Sequence, residues 1–248
     1  NIKIISWKDY RKSKDHLNQS LAFIENDRLS LIIVETLKEY LHLFEKNKVY
    51  NTEKKFGNFS FINEIFQRCF LDDKKTDNYF KTLVNDEDNP NHSRYIFFYI
   101  NYLIDNDRYE DAKSITDNVD YLNSSLLISQ TKYWVESRQI KEFKKIFSCK
   151  NSNDIISELF FIIANIYSSQ NDYERSNFYL NISYDLNPKF FFNLSLLAEN
   201  YYLNEDYSKT LKILNSFKKK DIFYYWYKLK KNAQILSKKE NDKIALNF

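Results

Sequence analysis

Between Ile155 and Ser169 apolar side chains recur every three or four residues, and they do so again from Tyr173 to Leu186. That period matches one turn of an α-helix, so each stretch predicts an amphipathic helix. Gln170-Asn171-Asp172 between them predicts a short polar turn, with Asp172 as N-cap of the second helix. Asn187-Pro188 ends that helix, because proline drives the preceding residue out of the α region. The unit 157–190 then recurs at 191–224. Phe160 matches Leu194, Ile163 matches Leu197, Ala164 matches Ala198, and Tyr167 matches Tyr201. Asp172 matches Asp206, Tyr173 matches Tyr207 and Leu180 matches Leu214, every pair 34 residues apart. Small residues (Ala164, Ser176, Ser183) stand where the paired helices must approach. A larger side chain there would cost ~1–3 kcal/mol. Phe160, Ile163, Tyr167 and Leu180 fill the remaining space. One such pair cannot bury both of its faces, so it must stack on neighbours, which predicts an all-α solenoid.

The pattern decays in both directions. Ala233, Leu236 and Ala245 continue it in a partial unit at 226–248. Ile96, Tyr99, Leu103, Tyr109 and Ala112 mark a unit at 93–118. Leu127, Trp134, Phe143 and Phe147 mark one at 124–147, and Phe66, Phe70, Tyr79 and Leu83 one at 59–84. Asp9, Tyr10, Ser13, Leu17 and Ser20 reproduce Asp172, Tyr173, Ser176, Leu180 and Ser183 at a constant offset of 163, giving a partial unit at 1–22. Residues 28–46 read as a long helix whose partner is missing or shrunken, and 47–58 as a loop. The whole span 1–248 is expected to be one array, cut from a longer one at both ends.

The pattern F-x-x-I-A-x-x-Y…S-x-x-x-L-x-x-S…P, running from Phe160 to Pro188, resembles the tetratricopeptide repeat, a 34-residue helix pair with W-x-x-L-G-x-x-Y…A-x-x-x-F…A…P. All eight positions match in size class. In the next unit Thr210 and Phe217 hold small-residue positions and Ile222 replaces the proline. The resemblance covers 155–217 strongly and the rest loosely. It implies a right-handed superhelix whose first helices line a concave groove, and a non-catalytic scaffold that binds a segment of a partner protein there. Carried onto this chain, the groove positions are Arg94, Phe97 and Asn101; Phe161, Asn165 and Ser168; Ser195, Glu199 and Tyr202; and Lys230 with Gln234. Phe97 and Phe161 would be apolar anchors. Asn101 and Asn165 would hydrogen-bond a peptide backbone, since an amide both donates and accepts. The family's clamp for a terminal carboxylate needs lysine four residues before that asparagine. Phe97 and Phe161 stand there instead, so an internal segment is the expected ligand.

Composition narrows the alternatives. One glycine (Gly57) and two prolines (Pro90, Pro188) in 248 residues cannot supply the turns of an all-β fold or the glycine cluster of a dinucleotide or phosphate loop. Hydrophobic residues reach 43%, enough for a folded core. Basic and acidic residues nearly cancel (37 against 34), so the chain as a whole carries no nucleic-acid signature. Lys218, Lys219, Lys220, Lys228, Lys230, Lys231, Lys238 and Lys239 nevertheless surround Tyr224, Tyr225, Trp226 and Tyr227. Such a mixture can bind single strands by phosphate contact and stacking. It equally suits aromatics packing a repeat under a solvated basic face, which is the expectation here. RNA binding, or service as the interaction arm of a longer enzyme, are the alternatives to a protein scaffold.

His16, His42 and His92 form no metal or triad motif, and Asp72-Asp73, Asp86-Glu87-Asp88 and Glu240/Asp242 read as solvated turn charge. Asp86–Asn91 lacks the spacing of a calcium loop. No cofactor, metal or catalytic residue is expected. Cys69 and Cys149 are far apart, form no CxxC pair and sit in apolar runs, so each is expected to be a small buried hydrophobe. Tyr95–Ile104 is too short to span a bilayer. Cytoplasm and periplasm both stay open.

Overall fold

The apolar periodicity folds into α-helices throughout. The computed structural model describes residues 10–21, 28–53, 56–85, 92–121 and 123–239. Among these there are thirteen α-helices and no strand. They are α1 (Tyr10–Leu21), α2 (Arg28–Lys46), α3 (Asn58–Phe70), α4 (Thr76–Val84), α5 (His92–Asp105), α6 (Tyr109–Asp117) and α7 (Leu126–Glu136). Then follow α8 (Ile140–Ile146), α9 (Ser152–Ser169), α10 (Tyr173–Leu186), α11 (Leu194–Leu203), α12 (Tyr207–Leu214) and α13 (Ile222–Lys239), with a 3-10 turn at Phe191–Asn193 leading into α11. Asp9 and Ala245, on which parts of the terminal matches rest, and the acidic run 86–88 lie outside the described residues.

The chain reverses direction by one device used five times. Asp72, Asp107, Arg138, Asn171 and Glu205 all have φ between 53° and 60°. In each case the next residue donates its N–H to the carbonyl five residues back: Asp73 to Arg68, Arg108 to Leu103, Gln139 to Trp134, Asp172 to Tyr167 and Asp206 to Tyr201, all at 2.8–2.9 Å. This is the left-handed helix C-terminus that satisfies an otherwise orphaned carbonyl. The turns are spaced by 35, 31, 33 and 34 residues. They join α3 to α4, α5 to α6, α7 to α8, α9 to α10 and α11 to α12, so the helix pairs repeat in the backbone even where the side-chain pattern has decayed. After the last two turns an aspartate caps the next helix, Asp172 accepting from Arg175 N–H (3.1 Å) and Asp206 from Lys209 N–H (3.0 Å). Gly57 serves a different end, at φ 59° before the first turn of α3.

Packing follows the size pattern. Ala164, Ser176, Ser183, Ala198 and Thr210 are fully buried between helices. Ser157 Oγ donates to the Ser183 carbonyl (2.8 Å), which fixes α9 against α10 at close approach. Large aromatics fill the centre: Phe97 and Phe98 of α5 meet Phe143, Phe147 and Phe190 with ring centroids 4.6–6.2 Å apart. Helix α2, whose partner is expected to be missing or shrunken, packs on α1, α3 and α9. The loop after it is pinned by Gln67, which exchanges two hydrogen bonds with the Tyr50 backbone (2.8 and 3.0 Å), and by Glu39, which accepts from Thr52.

Two contacts join helices that are distant in the chain, α2 with α9 and α7 with α13. A covalent link adds a third. Cys69 at the end of α3 and Cys149 before α9 form a disulfide, with Cα atoms 5.9 Å apart and a sequence separation of 80. The reading of each cysteine as a small buried hydrophobe does not include this bond. Both cysteines are buried as expected, but the aromatic cluster of Phe66, Phe98 and Phe147 draws the 147–151 segment onto α3. An 80-residue separation leaves no local trace of such a meeting.

Two predictions follow from these constraints. Replacing both cysteines by alanine is expected to lower stability by about 4–5 kcal/mol, the loop-closure entropy of a ring this long; urea denaturation with and without reductant measures it. Glu205→Gly should raise stability by roughly 0.5–1 kcal/mol. It relieves a left-handed penalty of ~1–2 kcal/mol, partly offset by glycine's freedom in the unfolded chain. A lower urea midpoint for this variant would contradict the turn assignment.

Candidate binding cleft

Alternate helices converge on one cleft of about 340 Å³. The N-terminal turn of α5 contributes Ser93 and Arg94, and the start of α7 contributes Ser125, Leu126 and Leu127. The middle of α9 supplies Phe161 and Asn165, and the 3-10 turn and α11 supply Phe192 and Ser195. Tyr224 of α13 completes the wall. Each of these helices except α13 is the first member of a pair joined by the turns above. The walls are apolar (Phe161, Phe192, Leu126, Leu127), and hydroxyls with one amide are set among them.

Arg94 is the electrostatic centre. A cation in the first turn of a helix opposes the helix dipole, so Arg94 needs an external counter-charge. Glu158 of α9 provides it: Arg94 Nε and Nη2 donate to its two carboxylate oxygens, each at 2.5 Å, and Nη2 also donates to Asn193 Oδ1 (2.8 Å). The guanidinium lies 3.6 Å from the Phe161 ring centroid, a stacked geometry that a delocalised cation favours. Glu158 is 1% exposed. Burial pushes its carboxyl pKa up, and the Arg94 guanidinium opposes that push. The pair is charge-balanced and ties α5, α9 and the entry to α11 together.

Of the eleven groove positions read from the sequence, the cleft gathers four: Arg94, Phe161, Asn165 and Ser195. Phe97 and Asn101 are elsewhere, and this corrects their proposed roles. Phe97 is fully buried and stacked on Phe143 and Phe190. Asn101 is buried too, its Nδ2 donating to the Phe143 and Phe147 carbonyls (both 3.4 Å). The short helix α8 packs against α5 and covers the face that carries them. Ser168 donates to Asn200 Oδ1 (2.7 Å). Glu199 accepts from Tyr227 Oη (3.0 Å) and Lys231 (3.0 Å). Lys231 in turn sits 4.0 Å from the Tyr202 ring centroid, so Glu199 and Tyr202 belong to an α11–α13 contact. Lys230 is exposed and Gln234 half-buried, and neither lines the cleft.

Sequence reasoning missed Glu158, the α7 residues, Phe192 and Tyr224 as site residues. Glu158 carried a visible signal, a carboxylate inside the apolar run Ile155–Ala164. Tyr224 was noticed only as part of the lysine-rich stretch. That stretch divides in the structure. Tyr224 is buried against Phe192 and Phe217, Lys231 is buried on Glu199, and Trp226 is 66% exposed. His42 stacks on Tyr50, and among the described residues no three metal-ligating side chains cluster. A second cavity of about 320 Å³ borders the disulfide, with Asp105, Lys144 and Lys150 on its rim. No described helix is long and apolar enough to cross a membrane. No protein-family model, curated protein or solved structure matches the chain.

Arg94→Ala leaves Glu158 buried without its counter-charge, and a loss of about 3–5 kcal/mol is expected at neutral pH. In that variant the folded-state pKa of Glu158 stands above its unfolded value, so the folded state holds the proton more tightly. Stability should therefore rise as pH falls through the folded pKa towards the unfolded one. Adding Glu158→Gln should recover part of the loss and abolish this pH dependence, both read from urea midpoints across pH.

Proposed function

We propose that the chain is a non-catalytic binding scaffold of tetratricopeptide type, a stacked array of helix pairs that holds a segment of a partner protein in the cleft between α5, α7, α9, α11 and α13. The observation that carries this reading is the convergence of side chains from alternate helices on one concave site. A cleft with apolar walls and a few fixed polar groups is the ordinary form of a recognition site. The recurrence of the turns and the repeat pattern of 157–224 support the family reading. Phe161, an anchor held flat by Arg94, and Asn165, whose amide can donate and accept, are the residues assigned to partner contact.

The exposed Trp226, close in sequence to Lys219, Lys220 and Lys230, favours a second reading in which single-stranded nucleic acid stacks on α13. One experiment separates the two. The protein is used as bait in lysate from its source organism, with nuclease added to half of the sample. A discrete protein is expected in both halves, its recovery falling at least tenfold for Phe161→Ala and Asn165→Ala while circular dichroism stays unchanged. Recovery that disappears with nuclease would transfer the function to α13, and recovery indifferent to both substitutions would remove the cleft from the interface.

A further inference from the structure

The cleft displays hydrogen-bond donors that the protein itself leaves unused. Tyr224 is 3% exposed and held by its ring, stacked on Phe192 (4.3 Å, 24°) and against Phe217 (5.4 Å). Among the described residues no group pairs with its hydroxyl. The hydroxyl is open to the cleft, so an incoming acceptor can reach it. Arg94 likewise keeps a donor for the cleft: Nε and Nη2 are engaged by Glu158 and Asn193, whereas Nη1 has no acceptor among the described residues. Both side chains line the cleft. Around them lie Phe161, Phe192, Leu126 and Leu127, which make the walls apolar.

The charge balance decides what the acceptor must be. Arg94 already shares its charge with a fully buried carboxylate, so a second carboxylate would meet one guanidinium between two anions. A neutral oxygen meets no such penalty. We infer that the cleft receives a backbone carbonyl together with a large apolar side chain of an internal peptide segment, the carbonyl accepting from Arg94 Nη1 and Tyr224 Oη. This deepens the scaffold reading and rests on it. Burial raises the Tyr224 phenol well above its usual range, so the hydroxyl remains a donor at any ordinary pH.

The test uses three blocked probes: N-acetyl-phenylalanine amide, N-acetyl-phenylalanine with its free carboxylate, and N-acetyl-alanine amide. Binding to the full chain is followed by changes in the NMR spectrum of cleft residues. The phenylalanine amide is expected to bind saturably, and the alanine amide and the carboxylate at least tenfold more weakly. Tyr224→Phe should weaken the phenylalanine amide about tenfold, the worth of one hydrogen bond. Its melting temperature should be no lower than wild type, because the hydroxyl it removes has no partner in the free protein. Equal or tighter binding of the carboxylate probe, unchanged affinity in Tyr224→Phe, or no saturable change at millimolar probe would each overturn the assignment. If lysate capture still depends on Phe161, such a failure removes the donor chemistry alone. If the probes bind as expected while capture ignores the cleft, the scaffold reading fails and the site stands.

Discussion

Everything in this molecule depends on how the chain turns around. A left-handed residue followed by an N–H donated five residues back closes a helix and aims the next one antiparallel to it. Five such turns at nearly constant spacing produce a succession of antiparallel helix pairs, and such pairs can stack. Glycine is the natural residue for that conformation, yet this chain fills it with Asp, Asp, Arg, Asn and Glu. Each carries a small conformational penalty that the packing of the helices on either side must offset. Asparagine and aspartate bear it most easily because their short polar side chains tolerate the left-handed region. The turn is therefore set by the tertiary structure as much as by the residue that occupies it.

This explains what could be read from the sequence. Helices α9 to α12 were legible because their apolar spacing, their aspartate caps and their small contact residues all agree. The earlier pairs were legible only as degenerate units. There the backbone turn persists while the side-chain signature has drifted, and a turn built on Arg138 has no local marker. The cleft was half legible. Register within a repeat picked out Arg94, Phe161, Asn165 and Ser195, which the fold brings to one cleft. The same register pointed to Phe97 and Asn101, which α8 and the segment after it cover. Periodicity specifies which residues share a face, not what eventually covers that face.

Contacts between distant helices lay furthest from sequence reasoning. The Arg94–Glu158 pair spans 64 residues, and its partners look unremarkable when taken singly. Its effect is to make the cleft electrically quiet. A free arginine among aromatics would attract any anion. Once neutralised, it offers directional donors in an apolar setting, and selectivity passes from net charge to geometry.

The disulfide has a mechanical meaning beyond stability. It joins the end of α3 to the segment before α9, so the covalent path between the two flanks of the molecule bypasses residues 70–148. Tension applied at the flanks would travel through the sulfur bridge and leave α4 to α8 unloaded. Those helices include α5 and α7, which form one side of the cleft. Half of the cleft is thus carried on a closed ring, sheltered from force. The other half, on α9, α11 and α13, remains in the line of pull.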